Sequence, residues 1–237
     1  MPSTLAVVCD SVAFQPGLRP SAGFACLIKT QDKNVLFDTG PHLSTLLHNM
    51  EKLSLSPQEI DAIVLSHNDS DHAGALFDLL ALVKGVTVYL LDSSPALYKE
   101  RVARAGATVI GVDSPVAVAE GLMSTGELGG SPSEQALVLH TGKGPALIIG
   151  CGHSGLVNTA QRAKQLAGST PHLVLGGFHL ESASRPQIEA TARQLQELGI
   201  EQIAPCHCTG ERARYVLKQI YGDNFIACGS GKVIGPA

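Results

Sequence analysis

Residues 62–74 read AIVLSHNDSDHAG, an apolar run that leads into two imidazoles and two carboxylates within six positions. Such a run ahead of a polar turn marks a buried strand. Charges gathered where a buried strand ends are costly unless something compensates them, and a divalent cation does so directly. His67, Asp69, Asp71 and His72 therefore read as nitrogen and oxygen donors, a set that suits zinc, manganese or iron better than a thiolate-rich structural zinc site. Alternate residues His67 and Asp69 can face one cation, while Asp71 and His72 turn toward a second about 3.5–4 Å away. A helix-capping role ahead of Ala73 would account for one carboxylate and for neither histidine.

Outward from that segment, three more apolar stretches end in histidine: IIGCGH at His153, VLGGFH at His179 and IAPCH at His207. In sheets flanked by helices, functional groups gather where strands end and loops begin. The first third of the chain reads as short strands at Leu5–Cys9, Ala25–Lys29 and Val35–Asp38. Strand and helix patterns then alternate, with short loops or hairpins over Asp113–Ser133 and a closing strand at Phe225–Cys228. No low-complexity separator interrupts them, so residues 1–237 read as one domain of mixed strands flanked by helices.

At 44% hydrophobic and 16% charged residues, the chain has the composition of an ordinary globular protein. Its net charge of -4 gives no electrostatic footprint for nucleic acid or an anionic membrane. No apolar run approaches the ~18 residues of a membrane span, and MPSTLAVVCD lacks a signal-peptide pattern, so the expected location is the cytoplasm. Six cysteines form no CxxC pair; Cys206 and Cys208 read as small residues lining a tight turn, with free thiols.

Some motifs mislead. GCGHSG (Gly150–Gly155) matches GxGxxG, yet it lies mid-chain, contains a histidine, and no acid ends the next strand. Its amides at Ser154 and Gly155 open a helix and could hold a substrate phosphate or carboxylate, with Asn158 one turn on either facing the same pocket or facing solvent. GSGK (Gly229–Lys232) lacks the rest of a phosphate-binding loop and reads as a tail turn. His42, His48, His140 and His172 read as non-ligands, and no GxSxG elbow supports a serine nucleophile.

The segment at 67–72 resembles the HxHxDH signature of the metallo-β-lactamase superfamily, and FDTG (Phe37–Gly40) its short upstream acidic turn. GCGHSGLVN, LGGFHL and PCHCTG are similar to segments of one branch, which includes archaeal dihydropterin-aminobenzene-phosphate synthases of methanopterin biosynthesis and bacterial members of undetermined substrate. The resemblance runs from Asp10 to Thr209. It implies an α+β, four-layer αββα sandwich: two mixed sheets face to face, helices outside, metals at one edge. It also implies a dinuclear site, with zinc the leading expectation and iron or manganese the alternatives. His67, Asp69 and His153 would hold one cation, and Asp71, His72 and His207 the other. His179 stands where many members have a bridging Asp, and binds one cation or stands behind the ligands. Asp69 departs from the family's usual His; it can favour a harder ion, supply a bridge, or cost one site. Asp38 is placed to hold the second ring nitrogen of a ligating histidine.

These residues imply a metal-dependent hydrolase acting on an ester, lactone or phosphoester of a small molecule, phosphorylated or not, with Asp71 handling the proton. Two alternatives stay open: a synthase joining a pterin alcohol to an aminobenzene-phosphate partner, and a non-catalytic binding protein with a degenerate metal site. An oxygen-reducing diiron centre fits less well, for want of a flavin-binding partner domain.

Overall fold

Strand residues alternate between apolar layers, and that alternation builds the sandwich. The computed structural model describes residues 3–235. In the strand Gly144–Ile149, Ala146 and Ile148 join one hydrophobic cluster while Leu147 and Ile149 join another. Successive strand side chains point to opposite faces, so a strand covered on both sides is apolar throughout.

Two mixed sheets result. The first holds β1 (Thr4–Cys9), β2 (Ala25–Lys29), β3 (Asn34–Phe37), β4 (Ala62–Val64), β5 (Thr87–Leu91) and β6 (Thr108–Val112), in that order. The second runs from β7 (Ala117–Ala119) through β8 (Leu122–Ser124), β9 (Leu137–Thr141), β10 (Gly144–Ile149) and β11 (Leu173–Gly177) to β12 (Gln202–Cys206). Between them lies a core that includes Val7, Phe24, Ile28 and Phe37 from one side, and Leu137, Ile148, Leu175 and Ala204 from the other.

Helices α1 (Leu43–Lys52), α3 (Leu76–Leu82) and α4 (Ala96–Arg104) cover the outer face of the first sheet with Leu46, Met50, Leu79 and Val102; the one-turn α2 (Ser70–Ala73) precedes α3. Helices α5 (Leu156–Ala167), α6 (Arg185–Leu198) and α7 (Glu211–Tyr221) cover the second with Ala160, Ile188, Leu195 and Leu217. The α6 boundaries follow local chemistry: Ser184 and Gln187 form a reciprocal capping box, and Gly199 takes the left-handed conformation that ends the helix. The fold is the expected αββα sandwich. No helix among the described residues is long and apolar enough to cross a membrane.

The chain's last segment departs from expectation. Phe225–Cys228 forms only a single bridge, Ile203 to Phe225, and the closing strand is β13 (Val233–Ile234), antiparallel to β1. The Ser230 amide donates to the Val12 carbonyl, and the Asp10 amide donates to the Ser230 hydroxyl, which draw residues 229–231 into a turn. That turn is buried at Ser230 rather than a solvent tail.

Parallel pairing sets the site. Strands β3 to β6 run parallel, as do β10 to β12, so the carboxyl ends of each set gather together. The two sets meet at Gly150, where a Cβ would overlap the Ser66 hydroxyl and crowd Asp38 Oδ2. Gly150→Ala is expected to cost about 1–3 kcal/mol through overpacking. It should also weaken metal retention by pushing Ser66 off Asp38; denaturant midpoints and metal content on one preparation check both.

Candidate metal centre

Asp38, directly after β3, has φ 58 and is fully buried. Its Oδ1 accepts the Ser66 amide at 2.7 Å, and its Oδ2 accepts both the Ser66 hydroxyl and His72 Nδ1, each at 2.7 Å. Because the Ser66 hydroxyl gives its proton to Asp38, its lone pair accepts from His67 Nδ1, 2.8 Å away. One carboxylate therefore sets the tautomers of two histidines, one directly and one through a serine. In both rings Nε2 is the atom turned toward the site.

Those nitrogens converge with others in two trios. His67 Nε2, buried and without a hydrogen-bond partner, lies 3.5 Å from Asp69 Oδ2, which is 4.0 Å from His153 Nε2. His72 Nε2 lies 3.1 Å from His207 Nε2 and 3.7 Å from Asp71 Oδ2, with 3.3 Å closing the triangle between His207 and Asp71. The rings of His67 and His72 are 4.2 Å apart between centroids, so the trios adjoin. Donor atoms facing one another at such distances, with an orphaned buried nitrogen among them, fit a cation in the first trio, and His72 and His207 gather donors for a second, with Cys151 Sγ also in reach.

His207 has φ 48 at the end of β12, and its amide donates to Asp10. Asp10, fully buried at the end of β1, also takes Arg214 at 3.1 Å. Among the described residues, three of the four non-glycine positions with positive φ, namely Asp38, His179 and His207, stand at strand ends of this site. Such backbone costs about 1–3 kcal/mol each and persists where surrounding contacts over-determine it.

His179 does not complete either trio. It is exposed, with its Nδ1 3.4 Å from Cys151 Sγ, and it groups with Cys151 and Cys208. The loop 152–155 engages part of its own backbone. The buried Glu134 carboxylate accepts the Gly152 amide at 3.1 Å, and the Gly155 amide donates to the Gly152 carbonyl. The Gly152 amide thus serves the protein's own carboxylate and the Gly155 amide serves the helix entry. Asn158 is exposed and lines a hollow with Gly155 and His179.

Asp10, Ser66, Glu134, Cys151 and Cys208 are the site residues that sequence reasoning passed over or set aside. Asp10 repeats the signal of Asp38, an acid directly after a buried strand. Ser66 carries no signal beyond its place before His67, and Glu134 stands in no local pattern. His140 is exposed, as expected of a non-ligand; His48 Nε2 and His172 Nδ1 donate to the backbone carbonyls of Gly17 and Pro145, away from the trios.

Electrostatics separate the trios. Burial, helped by the charge of His72, pushes His67 down to about 4, so it is neutral at pH 7. Burial also opposes charge on His72, but the Asp38 carboxylate outweighs it and raises that group. The hydrogen bond with His207 holds the Asp71 carboxyl well below the usual carboxylate range. In the metal-free protein Asp38 thus favours the protonated form of His72. Cation binding there is expected to release about one proton per chain near pH 6, with affinity rising as pH rises. Calorimetry in buffers of different ionisation enthalpy reads this directly, and zero release would contradict it.

The trios open into a cleft of about 800 Å³ lined by Asp69, Asp71, His153, His179, Cys208 and Arg214, among others. A family model of the metallo-beta-lactamase superfamily matches residues 18–160. The chain belongs to the metallo-β-lactamase superfamily. Over 90% of this chain and 89% of its own, a protein of Methanocaldococcus jannaschii is 26% identical: 7,8-dihydropterin-6-methyl-4-(beta-D-ribofuranosyl)-aminobenzene-5'-phosphate synthase. An uncharacterized protein of the same organism is 29% identical over 90% of this chain and 93% of its own. A crystal structure of a metal-dependent hydrolase of the beta-lactamase superfamily superposes with TM-score 0.80 at 26% identity, covering 98% of each chain. These superfamily members share the fold, and the superfamily typically binds metal ions.

Proposed function

We propose that the chain is a metal-dependent hydrolase of a small ester, lactone or phosphoester, with two divalent cations held by His67, Asp69 and His153 and by Asp71, His72 and His207. The observation that carries it is the pair of Nε2 atoms, on His67 and His72, whose tautomers Asp38 fixes so that both face carboxylates and further imidazoles. The likeness to a metal-dependent hydrolase supports the reaction class. What such a pair supplies when bound is a water acidified toward neutrality and an electrophilic clamp on the substrate.

The chain's own residues do the rest. Asp38 and Ser66 keep the ring protons on Nδ1 of His72 and His67. Asp71, with 39% of its side chain exposed, faces the cleft as well as the two imidazoles. Its carboxylate accepts a hydrogen bond from the attacking water and so orients the lone pair toward the carbonyl or phosphoryl centre. A cleft of about 800 Å³ fits a small molecule rather than a polymer surface.

Elemental analysis of protein purified without chelator tests this first, zinc being the expected ion and iron or manganese the alternatives. At least two cations per chain and chelator-sensitive hydrolysis of nitrophenyl esters, lactones or phosphodiesters are expected. Less than one cation per chain and no turnover would favour a non-catalytic binder. Because a 26% identical relative is a synthase, condensation of a pterin alcohol with an aminobenzene-phosphate partner is the second activity to assay.

A further inference from the structure

We propose that Cys151, His179 and Cys208 form a third, thiolate-donor cation position beside the two trios of imidazole and carboxylate. Each donor follows its strand by two residues: Cys151 after β10, His179 after β11 and Cys208 after β12. Because these three strands are parallel neighbours, the equal offset brings the side chains together. Cys151 Sγ lies 3.0 Å from Cys208 Sγ and 3.4 Å from His179 Nδ1, and all three donor atoms fall within 4.8 Å of one another. One tetrahedral zinc-class cation, with bonds of about 2.3 Å to sulfur and 2.0–2.1 Å to nitrogen, needs donors about 3.4–3.8 Å apart. Small shifts of the thiols reach that spacing.

The surroundings are built for sulfur. The His179 amide donates to Cys208 Sγ at 3.3 Å, a contact that favours a thiolate. A Cβ on Gly177 would strike the same Sγ, so glycine at the last residue of β11 makes the space that Cys208 occupies. His179 and Cys208 line the open cleft with Glu181, which leaves an entry path and a fourth ligand position. Cys151 is the link to the neighbouring trio, since its sulfur also groups with the donor atoms of His72 and His207. Two thiolates and one imidazole are softer than the donors of either trio, so this position selects a thiophilic divalent ion. It does not depend on which reaction the neighbouring centre runs.

Cobalt(II) titration of the metal-free, full-length protein under nitrogen tests the position, because thiolate ligands give a near-ultraviolet charge-transfer band that nitrogen and oxygen ligands lack. We expect the band in the wild type. It should fall by more than half in Cys208→Ser and vanish in the Cys151→Ser, Cys208→Ser double variant. Cys228→Ser should keep it, since that sulfur faces Cys206. A wild-type measurement guards against misfolded variants: zinc should protect Cys151 and Cys208, mapped by mass spectrometry, from alkylation. Cobalt uptake without the band, or alkylation of both thiols unchanged by zinc, overturns the proposal. Either result leaves the hydrolase reading standing, while a thiolate band in a protein without hydrolytic turnover would sink that reading alone.

Discussion

Asp71→Ala is expected to lower kcat/KM by about 10²–10⁴-fold, the range over which positioned proton-handling groups act. The carboxylate touches His72 at 3.7 Å and His207 at 3.3 Å, so its loss removes one donor from the second trio and the group that orients the water. Two readouts separate these roles. Metal content should fall by up to one cation per chain, and added cation should restore occupancy further than it restores turnover. Stability should change little, because the side chain is 39% exposed and its imidazole partners keep other contacts. Asp71→Asn, which keeps a ligand oxygen but accepts a proton poorly, should retain more metal than Asp71→Ala at similarly low kcat. Full activity in a well-folded, metal-depleted Asp71→Ala protein would end the hydrolase reading.

How legible the site was depends on how far apart in the chain its parts lie. His67, Asp69, Asp71 and His72 occupy one loop, and their density alone pointed to a cation. His153 and His207 could be placed because strand ends collect function, although only the parallel order of β10 to β12 brings them to that loop. The relay from Asp38 through Ser66 to His67 was hidden, since it joins residues 28 apart and needs Gly150 to leave room. Glu134 was invisible for the same reason: its partner is the Gly152 amide, 18 residues on. The thiols were set aside for lack of a CxxC pair. That spacing is what one loop needs to hold an ion, whereas three adjacent strands can each offer a donor at equal offset. The αββα layering was implied by the family resemblance; apolar runs such as β10 on their own pointed only to mixed strands covered by helices.

Asp38→Asn is expected to cut affinity for the second cation by about 10–100-fold, the usual cost of losing the group that orients a ligating histidine. The argument is about a tautomer. Asp38 accepts from His72 Nδ1 at 2.7 Å, which leaves Nε2 to face Asp71 and His207. An amide nitrogen turned toward Nδ1 would donate instead, so the ring proton would move to Nε2 and block the lone pair that a cation needs. Should the amide turn the other way, its nitrogen would meet the Ser66 amide, itself a donor, and the loop carrying His67 would loosen. Both His72 and Asp38 are fully buried, and removing one partner of such a pair costs about 3–5 kcal/mol. The pH dependence of that loss has a definite sign. The carboxylate raises His72 above its unfolded value near 6.5, so the pair's contribution is complete below that pH and fades as pH rises through the raised value. The metal-free variant should therefore fall furthest behind the metal-free wild type at about pH 6 and close part of the gap at higher pH. Denaturant titrations of both metal-free proteins across that window provide the check. A gap that widens with rising pH would mean that His72 is not held charged by Asp38.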